Sequence, residues 1–294
     1  MNSRIYIAAT ILLLVGLLAI VLMYLNVRYD IASNYLDFQS ESDSTQDENG
    51  EEQNTRSTEI SDIVAEYLSI TPDESKKEEL KTKPSEEPET EHRLSETVSD
   101  LVINGYKLAI TTVFWVGEKA NKSNDHISNA ESAWDVRWAK HYGGVDDPDD
   151  RCNFYPCEFV PDENPFYFAL PYNDFDDDGK RKSSALKIPW YESSNSDTSL
   201  LKNRWIKVIR SGNTCYGQWQ DAGPGEYDDF EYVFGEARMP KNVFGVHAGL
   251  DISPALRDCL DADGISATFW KFVDEEDVPD GPWLDIVTTS QIDW

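Results

Sequence analysis

Positive charge is scarce in this 294-residue chain, with 26 Lys and Arg against 55 Asp and Glu and a formal charge of −29. Binding to a phosphate backbone needs clustered basic side chains that displace counterions, so the balance argues against a nucleic-acid partner. The acidity is spread along the chain and not confined to a tail. Aromatic residues are also unevenly missing: residues 30–100 hold only Tyr35, Phe38 and Tyr67, whereas all nine Trp lie between Trp115 and Trp294. Only the last two thirds can bury a sizeable core. A third absence is charge of either sign between Ile5 and Leu25.

That uncharged run, IYIAATILLLVGLLAIVLMYL, reaches the roughly 20 residues a helix needs to cross a bilayer core. A cleaved signal peptide competes with this reading. Its apolar stretch is usually about 7–15 residues and ends in a small-residue cleavage site, and nothing of the Ala-x-Ala kind follows Leu25. We expect residues 1–28 to be an uncleaved transmembrane signal anchor, embedded through residues 5–25. Arg4 precedes the run and Arg28 follows it, so the positive-inside rule biases the orientation only slightly toward an inside N-terminus. Residues 29–100 read as a disordered acidic linker: SESDSTQDENGEEQNT and DESKKEELKTKPSEEPETEH offer too few apolar groups to offset chain entropy. Within it, ISDIVAEYLSI (Ile60–Ile70) lines up Ile60, Ile63, Val64, Tyr67 and Leu68 at helical spacing. It reads as nascent helix rather than a docking motif. The chain has no internal repeat.

The third region, residues 101–294, is the expected extracytoplasmic head. Gly, Pro, Asn and Asp there punctuate short β-branched and aromatic runs, the pattern of a mainly β domain with short helices. Strands are expected at Tyr106–Val116, Pro165–Leu170, Trp205–Arg210, Cys215–Gln220 and Ile265–Val273, the third and fourth joined by a Ser-Gly-Asn turn. Ser253 as N-cap and Pro254 at the first helical position start a helix that Asp263-Gly264 ends. A second helix is expected over Asn129–His141, its Ala130, Ala133, Trp134 and Trp138 at core-facing spacing.

Four Cys behind a membrane anchor fit two disulfides outside the reducing cytosol. The Cys152-x4-Cys157 spacing is wrong for a zinc knuckle, and Cys215 and Cys259 are isolated, so no metal is expected. Three connectivities are open. We prefer Cys152–Cys157 closing a local loop and Cys215–Cys259 tying a strand to a helix. Asp174, Asp176 and Asp178 before Gly179 copy the first half of a calcium loop, but the twelfth position is Ala185 instead of a bidentate Glu, and three basic residues follow the Gly. The run reads as a solvated acidic turn, as does Asp146–Asp150. Nothing in the sequence calls for a cofactor.

The chemistry concentrates in two places. A hairpin ends in Gln218-Trp219-Gln220-Asp221-Ala222-Gly223-Pro224, and a second strand ends in Leu250-Asp251-Ile252-Ser253-Pro254-Ala255. Two carboxylates at strand ends on either side of a loop can converge on one cleft, the raw material for acid/base work on a glycosidic bond. With the closing strand Phe269-Trp270-Lys271-Phe272 and an upstream Ile110-Thr111-Thr112-Val113-Phe114-Trp115, this succession resembles the double-psi β-barrels of expansins, of rare lipoprotein A type lytic transglycosylases and of small cellulases. The resemblance covers roughly residues 108–275 and is closest over 205–273. It implies a six-stranded double-psi barrel with long loop insertions (about 118–164 and 225–247), preceded by the transmembrane helix and linker. It further implies that Asp251 is the general acid, Asp221 a second groove carboxylate and Thr112 a groove-facing hydroxyl, and that the partner is a cell-wall or other extracellular polysaccharide. The cellulases keep a catalytic-base Asp directly after the first strand's Trp or Phe. Val116 stands there, with Glu118 two residues on, which makes hydrolysis the least expected of the three activities.

Sugar-stacking platforms are sought among Trp115, Tyr172, Trp190, Tyr191, Trp219, Tyr227 and Trp283, with Trp190-Tyr191 as an exposed pair and Asp174 as a further substrate contact. Purely structural roles remain open for both aspartates, Asp221 capping the Gly223-Pro224 turn and Asp251 bonding backbone near the helix start.

Overall fold

A computed structural model describes residues 60–65, 67–68, 98–124, 126–193, 198–242 and 246–292, all within one compact unit that begins at Arg56. The expected anchor at residues 5–25 and most of the expected linker lie outside the described residues. Among those described, no helix is long and apolar enough to cross a membrane.

Among the described residues, eight strands occur in chain order: β1 (Lys107–Val113), β2 (Arg151–Cys152), β3 (Tyr155–Pro156), β4 (Tyr167–Leu170), β5 (Trp205–Arg210), β6 (Asn213–Ala222), β7 (Ala248–Ile252) and β8 (Ile265–Val273). β2 and β3 pair alone, and the other six close into a barrel in the order β1-β7-β4-β6-β5-β8. β1 runs parallel to β7 and β4 parallel to β6, and every other neighbouring pair is antiparallel. This closed, mixed, six-stranded barrel is compatible with the double-psi fold that the sequence suggests. The β5–β6 hairpin closes over Ser211 and Gly212, both at positive φ (47° and 83°), the conformation a two-residue primed turn requires.

Each parallel pair contains one irregularity. Opposite the consecutive residues Phe168 and Ala169 of β4, β6 presents Trp219 and then Asp221, so Gln220 is an extra, bulged residue. Opposite Ile110 and Thr111 of β1, β7 presents Ala248 and Leu250, so Gly249 is the extra one. A side chain at Gly249 has no room, because a Cβ there would lie 2.4 Å from the Tyr232 hydroxyl.

Phe168, Leu170, Ile206, Val208, Trp219, Leu250, Ile252, Leu256 and Trp270 fill the interior. On the outside of β4, Tyr167 and Ala169 join Phe114, Val116, Trp138 and Tyr142 in a second apolar cluster under the first insertion. The Ser253 helix forms over Pro254–Leu260, with the Ser253 hydroxyl accepting from the Leu256 amide at 3.2 Å. Both expected disulfides are present, Cys152–Cys157 and Cys215–Cys259.

Two expectations need correction. In place of the expected Asn129–His141 helix, only Trp138–Tyr142 is helical, one residue beyond the expected end. Asp135 draws the Arg137 amide to its own carboxylate at 2.8 Å, and Ser132 pairs with Asp135, so local bonds displace the helical ladder. Trp134 and Trp138 are nevertheless buried, as their spacing suggests. The helical residues 60–65 and 67–68 are docked, not merely nascent. Ile60, Val64 and Tyr67 are buried, the Tyr67 ring meets Phe269 edge-on at 6.3 Å, and Arg238 donates to the Tyr67 carbonyl at 2.8 Å. The apolar outer face offered by β1 and β8 supplies burial that the isolated segment lacks.

Candidate functional site

Asp221 and Asp251 are brought together by strand order and by the bulge. In a regular strand, Asp221 would share a face with inward-pointing Trp219. Gln220, the inserted residue, swings it to the other side, where it pairs in register with Ala169. Asp251 pairs with the same Ala169 from the opposite edge of β4. The two aspartates therefore flank one small residue on the barrel's outer face, two inter-strand spacings or roughly 9–10 Å apart between Cα atoms. Thr112, opposite Asp251 on β1, donates its hydroxyl hydrogen to Asp251 Oδ1.

The insertions reach the same two carboxylates. The Ala133 amide of the first donates to Asp221 Oδ1 at 2.7 Å, and that oxygen also accepts the Ala222 amide at 2.8 Å. Burial pushes the Asp221 carboxyl up to about 7, opposed by these two donors and aided by the Asp251 charge. Burial likewise pushes Asp251 up to about 7, with the Thr112 bond opposing and Glu118 adding to the rise. Asp221 is 9 % exposed, whereas Asp251 keeps more of its surface open. Glu118 is itself buried and accepts from Asn129 Nδ2 at 2.8 Å; burial raises its carboxyl above the usual range. The second insertion supplies Tyr227, 46 % exposed. Its phenol is raised first by burial and then by the charges of Asp221 and Asp251.

Other candidates stand elsewhere. Trp219 and Tyr172 are wholly buried, Trp219 stacked on Phe168 and Phe272, so neither has a ring face for a sugar. Trp190-Tyr191 is not an exposed pair. Both pack against the core, and Trp190 donates to the Leu200 carbonyl at 2.7 Å under the Arg204 guanidinium. Trp283 is buried against Phe166 and Tyr216. Asp174 is wholly buried, its oxygens taken by Arg181, Ser199 and the Leu200 amide, which leaves no surface for substrate or calcium. The acidic turn at Asp146–Asp150 also hides one member: Asp146 is wholly buried, bonded by Arg151 and by the Tyr167 hydroxyl. Among the described residues, no group of three His, Cys, Asp or Glu could hold a metal ion. Trp115 remains partly exposed just beyond β1.

Sequence reasoning did not reach the Ala133 amide, because a backbone donor in an insertion carries no residue signature. It placed Val116 where the family keeps its base and noted Glu118 only as an acid two residues later, although an acid so close to the first strand was itself a signal. Compared with known proteins, the chain matches no family model and no curated protein sequence.

Proposed function

We propose that the chain is a membrane-anchored, extracytoplasmic protein that acts on a cell-wall or other extracellular glycan, cleaving or remodelling it as expansin-like and rare lipoprotein A-like barrels do. The observation that carries this reading is the pair of carboxyls on either side of Ala169, on the outer face of a closed barrel. A general acid must still hold a proton near neutral pH, and burial keeps both groups near 7. Burial raises both alike, so their roles are read from their bonds. Asp221 Oδ1 is occupied by two backbone amides, which suits a positioning carboxylate. Asp251 has the Thr112 hydroxyl on one oxygen, and its Oδ2 lies 4.0 Å from where a Gly223 Cβ would stand. Asp251 is therefore the proton donor to the leaving glycosidic oxygen. In lytic cleavage a hydroxyl of the sugar itself attacks the anomeric carbon and returns its proton to Asp251, so no water-activating base is needed at Val116. Two disulfides in the head support an oxidising compartment.

The test is incubation of the full chain, held in detergent, with purified peptidoglycan and with other wall polysaccharides, reading soluble fragments by mass spectrometry. Release that is lost in Asp251→Asn supports the reading. Binding without release favours a second one, a non-catalytic carbohydrate-binding or wall-loosening module, to which the two amides holding Asp221 in place lend support. Neither binding nor release from any polymer sinks both.

A further inference from the structure

We infer that Lys202 is a positioning residue for Asp221, acting through the side chain of Gln220 and held in turn by the C-terminal Ser290. Asp221 lies beside Ala169 on the barrel's outer face only because Gln220 is inserted ahead of it, so whatever holds Gln220 sets the aim of the carboxylate. A bulged residue falls outside the regular ladder and depends on other bonds. Gln220 is 1 % exposed, and its carboxamide is fixed at both ends: Lys202 Nζ donates to Oε1 at 2.9 Å, and Nε2 donates to Asn203 Oδ1 at 2.9 Å. Lys202 is 6 % exposed and gives a second bond to the Ser290 hydroxyl at 2.9 Å. Ser290 passes its own proton toward Glu163 Oε1 at 2.8 Å, and Asn203 Nδ2 closes the ring on the Ser290 carbonyl at 2.9 Å.

A buried ammonium is costly unless its hydrogens are placed, and burial lowers the Lys202 amine from the ordinary lysine range against the pull of Glu163 and Asp135. The fold tolerates that cost at a position whose ammonium holds the bulge residue to the C-terminal segment. The same segment is also held at Thr288, whose hydroxyl accepts from the Asn164 amide at 2.9 Å and whose backbone bonds Gln218, a residue in regular register with Tyr167 before the bulge. Thr288 therefore provides a control that loosens the segment without touching Gln220. The functional meaning of the clamp rests on the groove reading above; its geometry does not.

The experiment is hydrogen exchange on the full chain, following the Ala133 and Ala222 amides that donate to Asp221. Lys202→Met is expected to speed their exchange at least about tenfold and Ser290→Ala, at an exposed residue that leaves the core intact, at least about threefold, while Thr288→Val stays within about twofold of wild type. Unchanged amides in Ser290→Ala and Lys202→Met, or an equal effect from Thr288→Val, overturn the inference. If Lys202→Met does not fold, Ser290→Ala decides alone. With a glycan that wild type cleaves, Lys202→Met is expected to lower kcat and leave KM unchanged. Responding amides in a protein that releases no glycan product would uphold the clamp and remove the glycan reading.

Discussion

Replacing Asp251 by Asn leaves a side chain of the same size that cannot give up a proton, so product release from a cleavable glycan is expected to fall about 10²–10⁴-fold, with the circular dichroism spectrum unchanged. Asp221→Asn keeps an acceptor oxygen for the Ala133 and Ala222 amides and is expected to cost less, on the order of tenfold. The same two groups shape stability. Their folded values near 7 lie above the ordinary carboxylate value of about 3.9 in an unfolded chain. Between those limits the folded state binds more protons than the unfolded one, so stability is highest below about pH 4 in this respect and is lost as pH rises through about 7. Urea midpoints from pH 4 to 8 are expected to fall in wild type and to flatten in the Asp221→Asn/Asp251→Asn double variant. Both residues were legible as strand-end acids. Their shared neighbour Ala169 was not, because an alanine in an apolar run carries no mark of standing between two strands.

Local signals within elements were dependable wherever one chemical feature dominated. Ser253-Pro254 started its helix where expected, and Ser253→Ala is expected to lower unfolding free energy by about 1 kcal/mol by orphaning the Leu256 amide, measured by urea denaturation. The β5–β6 turn and the whole of β8 formed as their residues suggested, because glycine at positive φ and a run mixing β-branched and aromatic residues have few alternatives. Asn129–His141 failed because periodicity was read without weighing Ser132 and Asp135, whose side chains compete for the same backbone groups. Residues 60–68 were underread for the opposite reason: the apolar stripe was seen, but nothing in it named the Phe269 face that receives it. Tyr67→Ala is expected to release this segment from the barrel, seen as protease cleavage near residue 65 at least about tenfold faster than in wild type.

Over the whole molecule, the disulfides bear unequally on stability. Cys215–Cys259 spans 44 residues and joins β6 to the capped helix, so replacing both with Ala is expected to lower stability by about 3–4 kcal/mol in the chain-entropy account. Cys152–Cys157 spans 5 and is expected to contribute less, a comparison that denaturant midpoints of the two double variants would check. The amino-acid order alone determined the mainly β head, the preferred cysteine pairing, the hairpin and the capped helix, because each depends on residues close in sequence or on how few partners exist. Tertiary structure alone decided which face each acid takes. A side chain's face reverses with a single inserted residue, and no local preference announces that Gln220 and Gly249 are the ones left over. Closure of six strands in the order β1-β7-β4-β6-β5-β8 also put Asp221 and Asp251, thirty positions apart, on either side of one alanine, a neighbourhood created by pairing and not by composition.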